Sequence, residues 1–210
     1  MAGLFVSFEG PEGGGKTTQQ ERLRRYLEER GLEPLCLREP GATIVSERIR
    51  ALLLDEDVGE LTGRTQALLF CAARSELVAQ AIRPALEAGR VVLCDRYADS
   101  TLAYQGYGQG LGLAELRAVS DFATGGLKPR LTFCLDVPVE LGLERKLANQ
   151  RNRMETMDVA FHERVRRGFR ELAADEPRRW RLIDATQPLE AVAAAIRCHV
   201  DVILKEALYR

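Results

Sequence analysis

The segment Gly10-Pro11-Glu12-Gly13-Gly14-Gly15-Lys16-Thr17 fits the pattern GxxxxGK[ST], whose residue types suit the cradling of a polyphosphate. Glycines let successive backbone N–H groups turn inward around phosphate oxygens without Cβ clashes. A helix opening at Lys16 adds unpaired N–H donors and a partial positive charge, and Thr18 lies in its first turn. Lys16 has the reach for β- and γ-phosphates, and the Thr17 hydroxyl is a ligand type for Mg²⁺. The apolar run LFVSFE precedes the loop and the amphipathic run TTQQERLRRYLEER follows it, the strand-loop-helix setting this pattern requires. Lysine occurs only at 16, 128, 146 and 205, so the motif lysine owes little to composition.

Other residues suit the far side of such a reaction. The run Val91–Cys94 ends in Asp95, with Arg96 and Tyr97 directly after it. A carboxylate on a second strand commonly serves the metal or reacting groups, and a planar guanidinium matches phosphate geometry. The plainer reading of Asp95-Arg96-Tyr97 is a strand-end turn with a surface ion pair. Arg38 follows the apolar run PLCL, at a strand end where ligands bind in open α/β sheets, although Pro40-Gly41 also reads as an ordinary turn. Phe70 and Arg74 are four apart in RTQALLFCAARSELV, which puts a ring and a guanidinium on one helix face, able to stack on a base and bond its edge. A helical Phe is more often core.

The elements that must position these residues alternate. Short apolar runs at Leu4–Phe8, Leu35–Leu37, Val91–Cys94, Leu131–Leu135 and Arg181–Ile183 read as strands covered on both faces. Helical spacing fills Lys16 to Gly31, roughly Arg64–Ala88, and about Leu189 to Leu208. That alternation predicts an α/β fold, a five-stranded parallel sheet with helices on both faces. The 210 residues, free of repeats and linkers, predict one domain.

Composition narrows the partners. A net charge of −1 with no like-charge block gives no footprint for nucleic acid or an anionic membrane. No leader-like or membrane-spanning run opens the sequence. The five cysteines form no CxxC pair, and Cys36, Cys94 and Cys134 sit in apolar runs; they read as reduced core residues of a cytoplasmic protein. A phosphate loop alone is shared by switch GTPases, ATPases and small-molecule kinases, and no guanine-reading NKxD segment is present.

Taken together, these segments resemble the thymidylate kinase family. FEGPEGGGKTTQ is similar to that family's phosphate loop, REPG to its second-strand motif, LLFCAAR to its base-binding helix and DRYADSTLAYQG to its long acceptor motif. LDVPVELGLER, RVRRGFRELA and IDATQPLEAV resemble its C-terminal half. The resemblance implies a P-loop NTPase-type fold and transfer of a phosphoryl group from ATP to dTMP with Mg²⁺. It also implies a homodimer packed through helices. It implies that Phe70 stacks on thymine and Arg74 bonds its edge, while Arg38 and Arg96 hold the 5′-phosphate. Glu12 would face the acceptor sugar, and Thr101, Tyr104 and Gln105 would line its pocket. Asp95 would orient Arg96 and itself lie near the metal's water shell. Arg145 and the Asp184–Gln187 turn would approach adenine. Because Gly13 brings no arginine to the loop, the resemblance assigns the charge-stabilising arginine to a lid at about 146–157, with Arg153 preferred over Arg151. The sequence departs from the family pattern at Ala42, Ser46, Ala73 and Asn152. Alternatives are a related kinase for another base and a catalytically silent nucleotide-binding regulator.

Overall fold

The computed structural model describes residues 3–55, 57–147 and 157–208. Five strands, β1 (Leu4–Glu9), β2 (Leu35–Arg38), β3 (Val91–Asp95), β4 (Leu131–Asp136) and β5 (Trp180–Asp184), form one sheet in the order β2-β3-β1-β4-β5. All four pairings are parallel. Each strand thus ends one residue or so beyond the apolar run that announced it, on a charged residue at the carboxyl edge. β1 is buried throughout, β3 up to Cys94 and β4 up to Leu135, as strands covered on both faces must be.

Helices supply that cover. One face carries α1 (Lys16–Glu28) and α9 (Leu189–Leu208), closing over Leu23, Leu27, Val192, Ile196 and Val200 with Phe8, Phe133 and Leu135. Around the other face run α2 (Ile44–Leu54), α3 (Gly63–Leu77), α4 (Arg83–Glu87), α5 (Ala98–Thr101), α6 (Leu113–Thr124) and α8 (Val159–Asp175), while α7 (Val139–Leu147) packs Leu141 onto the α1–α9 cluster. α3 passes into α4 through a wide π-turned stretch, Val78–Ile82, so the single long helix expected there is continuous but under-wound at its middle. A second π-turned stretch, Leu102–Gly108, continues α5 and carries Tyr104 and Gln105. Such wide turns gather at functional sites because they re-aim side chains without ending the helix.

The cysteines depart from expectation. Cys71, Cys94 and Cys134 are buried, but Cys36 and Cys198 are exposed and all five are free. Cys36 fails as a core residue because β2 is an edge strand with only Leu37 fully covered.

Candidate active site

Every candidate residue within the described part sits at or above the carboxyl edge of the sheet. Gly15 enters α1 in the left-handed region (φ 81°) with no side-chain cap, so the first N–H groups of the helix are left for an anion. Lys16 is buried and folded over the loop, its Nζ donating to the carbonyls of Pro11 (2.8 Å) and Gly10 (3.1 Å). Burial, then the nearby Arg96, push the Lys16 ammonium down to about 8, against the pull of Glu12 and Asp95. Thr17 donates its hydroxyl to Asp95 Oδ2 at 2.5 Å. Thr17 and Thr18 are exposed into the same cavity.

Glu12 is the charge centre. Its Oε1 accepts from Arg96 Nη2 (2.8 Å) and the Tyr104 hydroxyl (2.7 Å), and its Oε2 from Lys146 Nζ (2.8 Å). Burial alone would raise this carboxyl, but Arg96, Lys16 and Lys146 together hold it well below the usual carboxylate range. Arg96 itself has φ 70°, a left-handed conformation unusual for a non-glycine residue. Its guanidinium also reaches Ser100 Oγ (3.2 Å) and the Gly10 carbonyl (3.3 Å), and it lies 4.9 Å from the Tyr104 ring centroid. The expected orienting of Arg96 by Asp95 is not what is seen. Asp95 turns to Thr17, and Glu12, Tyr104 and Ser100 hold Arg96 instead.

Beyond Arg96 the cavity is lined by residues of α2 and α3. Arg74 is fully buried; Nε meets Glu39 Oε2 at 2.7 Å, and Nη2 reaches Thr101 Oγ1 (3.1 Å) and the Tyr97 carbonyl (3.2 Å). Burial pushes the Glu39 carboxyl up to about 7 even against the Arg74 charge. Phe70 is only half-buried, lines the cavity, and belongs to none of the three apolar clusters, so the core reading of this ring does not hold. Gln105 is buried, 3.4 Å from Gln66. Arg38 lines the cavity while bonded to Glu47 (2.8 Å) and the Pro40 carbonyl (2.9 Å). At the other end, Arg145 donates to the Ala185 carbonyl (2.9 Å), beside Thr186 and Gln187.

These groups share one cavity of about 990 Å³. Its wall carries seven cationic residues (Lys16, Arg38, Arg50, Arg74, Arg96, Arg145, Lys146) and three carboxylates (Glu12, Glu39, Asp95), an excess that polyanionic ligands would neutralise. Arg151, Asn152 and Arg153 lie outside the described residues. Sequence reading passed over Glu9, Arg50, Ser100 and Lys146. Arg50 needed the three-dimensional path of α2, which brings its Nη1 to the Pro40 carbonyl at 3.0 Å. Lys146 carried a signal, as a rare lysine beside Arg145.

Two departures from the family pattern join here. The Ser46 hydroxyl is buried and donates to the Ala73 carbonyl at 2.7 Å, tying α2 to the turn of α3 that carries Arg74. Ala42 holds φ 69°, the left-handed region a glycine would occupy without strain.

A glycine loop feeding a helix start at the head of β1, in a β2-β3-β1-β4-β5 parallel sheet, defines a P-loop nucleotide-binding fold. A family profile described as thymidylate kinase matches residues 8–196. Among curated relatives, the thymidylate kinase of Desulfovibrio desulfuricans is 51% identical over 212 residues, covering 96% of this chain and 97% of that one. That of Roseiflexus castenholzii is 49% identical over 212 residues, covering 94% and 93%. The crystal structure of thymidylate kinase from Ehrlichia chaffeensis superposes with a TM-score of 0.78 at 31% identity, covering 96% of this chain and 99% of the other. The chain belongs to the thymidylate kinase family.

A steric contact fixes where further charge can enter. A Cβ built on Gly13 (φ 68°) would lie 2.0 Å from the Gly142 carbonyl oxygen, and one on Gly142 would lie 2.3 Å from the Glu12 carbonyl oxygen. The phosphate loop and α7 therefore touch backbone to backbone, and Gly13 has no room for a side chain. Gly142→Ala should cost about 1–3 kcal/mol by urea denaturation, since α7 must lift off the loop. Unchanged stability would contradict this packing.

Proposed function

We propose that this chain transfers the γ-phosphoryl group of ATP to the 5′-phosphate of dTMP, giving ADP and dTDP for dTTP synthesis. The observation carrying this reading is the single cavity that joins the phosphate loop at one end to Phe70 and Arg74 at the other, with Arg96 between them. In this reading the loop amides from Gly10 to Gly15, with Lys16, Thr17 and Thr18, hold the triphosphate, and Arg145 approaches the adenine. Arg96 and Arg38 hold the acceptor phosphate, for which phosphate oxygens would compete with the carboxylates of Glu12 and Glu47. Phe70 stacks on the base, Arg74 bonds its edge, and Glu12, Thr101, Tyr104 and Gln105 line the pocket.

The chemistry then needs little more than alignment. An acceptor phosphate oxygen attacks the γ-phosphorus while the bond to the β,γ-bridging oxygen breaks, leaving ADP. Lys16 and the loop amides stabilise charge on the moving group, as phosphoryl transfer requires. Thr17 and Asp95 present hard oxygen donors 2.5 Å apart beside the loop. Among the described residues no group of three His, Cys, Asp or Glu could hold a metal. This sparse donor set fits Mg²⁺, which keeps water and binds through one or two protein oxygens plus substrate phosphates. Bound there, it would neutralise phosphate charge. Arg153 remains our candidate for the lid arginine, in keeping with the blocked position at Gly13.

We further infer one domain spanning 1–210 with its lid near 146–157, supported by the single sheet. No described helix is long and apolar enough to cross a membrane. Five free cysteines support a cytoplasmic setting. A homodimer is supported by exposed Leu52 on α2, Leu68 on α3 and Phe122 on α6, since α2 packs on α3 and α3 on α6.

A coupled assay of ADP release across dTMP, dUMP, dCMP, AMP and GMP tests the reading. dTMP should lead, and equal or better turnover of a non-thymine acceptor would overturn it. In the same assay Phe70→Ala should raise the dTMP KM about 5- to 100-fold, the range that base–aromatic stacking supports. If kinetics per folded molecule stay unchanged, the ring does not stack on the base.

Lys16 also gives a pH test. Burial, then Arg96, depress it to about 8; phosphates bound beside it add negative charge that should raise it, so ATP binding should take up a proton between about pH 8 and the ordinary lysine range. Titration calorimetry in buffers of different ionisation enthalpy should record that uptake at pH 9 and lose it in Lys16→Met. Proton release, or an unaltered signal in the variant, would contradict it.

A further inference from the structure

Glu9, the last residue of β1, lies outside the cavity wall yet directly beneath its central arginine. Its side chain is fully buried. Oε1 accepts the Tyr97 backbone N–H at 2.7 Å, and Oε2 accepts the Ser100 hydroxyl at 2.6 Å. Ser100 Oγ in turn accepts from Arg96 Nη1 at 3.2 Å. The Arg96 N–H donates to the Phe8 carbonyl at 2.9 Å, so strand β1 grips the turn on both sides of the left-handed residue. A non-glycine residue persists in that conformation only where its surroundings over-determine it.

We propose that Glu9 is a positioning residue for Arg96, clamping the 96–100 turn through both carboxylate oxygens so that the guanidinium faces the acceptor phosphate. The inference rests on the reading of Arg96 as an acceptor-phosphate ligand. The direction of the hydroxyl carries it further. With its hydroxyl donated to Glu9 Oε2, Ser100 keeps a lone pair for Arg96, an arrangement that needs Glu9 ionised although burial and the neighbouring Asp99 push its carboxyl up to about 8 against the pull of Ser100 and Arg96. An amide at position 9 would place a donor against Ser100 and strip its proton of this acceptor. The pair of Asp99 with Arg179 (2.6 and 3.0 Å) anchors the same turn from the residue before β5, while Glu9 reaches Arg96 only through Ser100.

The test is steady-state kinetics of Glu9→Gln, Ser100→Ala and Arg96→Lys, with folding checked by thermal unfolding. Glu9→Gln should raise the dTMP KM at least tenfold, Ser100→Ala severalfold, and both should leave the ATP KM within about twofold. A Glu9→Gln enzyme that weakens ATP and dTMP alike, or neither, overturns the inference. If Glu9→Gln fails to fold, Ser100→Ala decides by the same criterion. If Arg96→Lys changes the dTMP KM while Glu9→Gln and Ser100→Ala do not, the clamp is wrong and the role of Arg96 stands. If Arg96→Lys leaves the dTMP KM unaltered, both fall.

Discussion

One carboxylate holds the site together. Glu12 gathers Arg96, Lys146 and the Tyr104 hydroxyl within 2.8 Å, in a cavity where cations outnumber anions. Without it, Lys16, Arg96 and Lys146 would face one another across a partly dehydrated space with much less to offset their repulsion, Asp95 remaining near Lys16 and Arg96. Buried ion pairs add little net stability, because desolvation cancels most of the Coulomb gain. Their effect here is on position. They keep guanidinium and ammonium groups fixed at the sheet edge, so that in the proposed reading incoming phosphates meet charge already in place and spend little energy on rearrangement.

That arrangement is a consequence of the sheet. Parallel strands all end at one edge, and each strand end or the segment after it contributes to the wall: the glycine loop after β1, Arg38 at the end of β2 with Glu39 after it, Arg96 after β3, Arg145 on α7 after β4, and Thr186 and Gln187 after β5. The close approach of Gly13 to Gly142 seats α7 on the loop, which brings Lys146 to Glu12. Opposite them, Ser46 fastens α2 to the Ala73 carbonyl, and Glu39 fastens the loop after β2 to Arg74. The wall is thus tied by polar bonds between elements that are otherwise held by separate apolar clusters.

Much of this was legible in the sequence, and the reasons differ by element. The three central strands could be read because burial on both faces leaves continuous apolar runs, the edge strands β2 and β5 because their short apolar runs look alike, and the phosphate loop because its backbone demands glycine at fixed spacing. Phe70 and Arg74 could be paired from helical spacing. What spacing could not supply was partner choice. Asp95 and Arg96 are adjacent in sequence, yet the left-handed backbone at Arg96 sends their side chains to different partners. Glu9 looked like the end of a strand, since its role depends on β3 lying beside β1, a pairing between residues more than eighty positions apart. Cys36 looked like core because an edge strand and a central strand share the same short apolar pattern.

A crystal structure with a nonhydrolysable ATP analogue and dTMP bound together tests the central claim most directly. The account predicts the analogue's phosphates in the loop between Gly10 and Thr18, the dTMP phosphate against Arg96, and thymine over Phe70. A dTMP phosphate seated away from Arg96, with the Glu12 pair untouched, would contradict it.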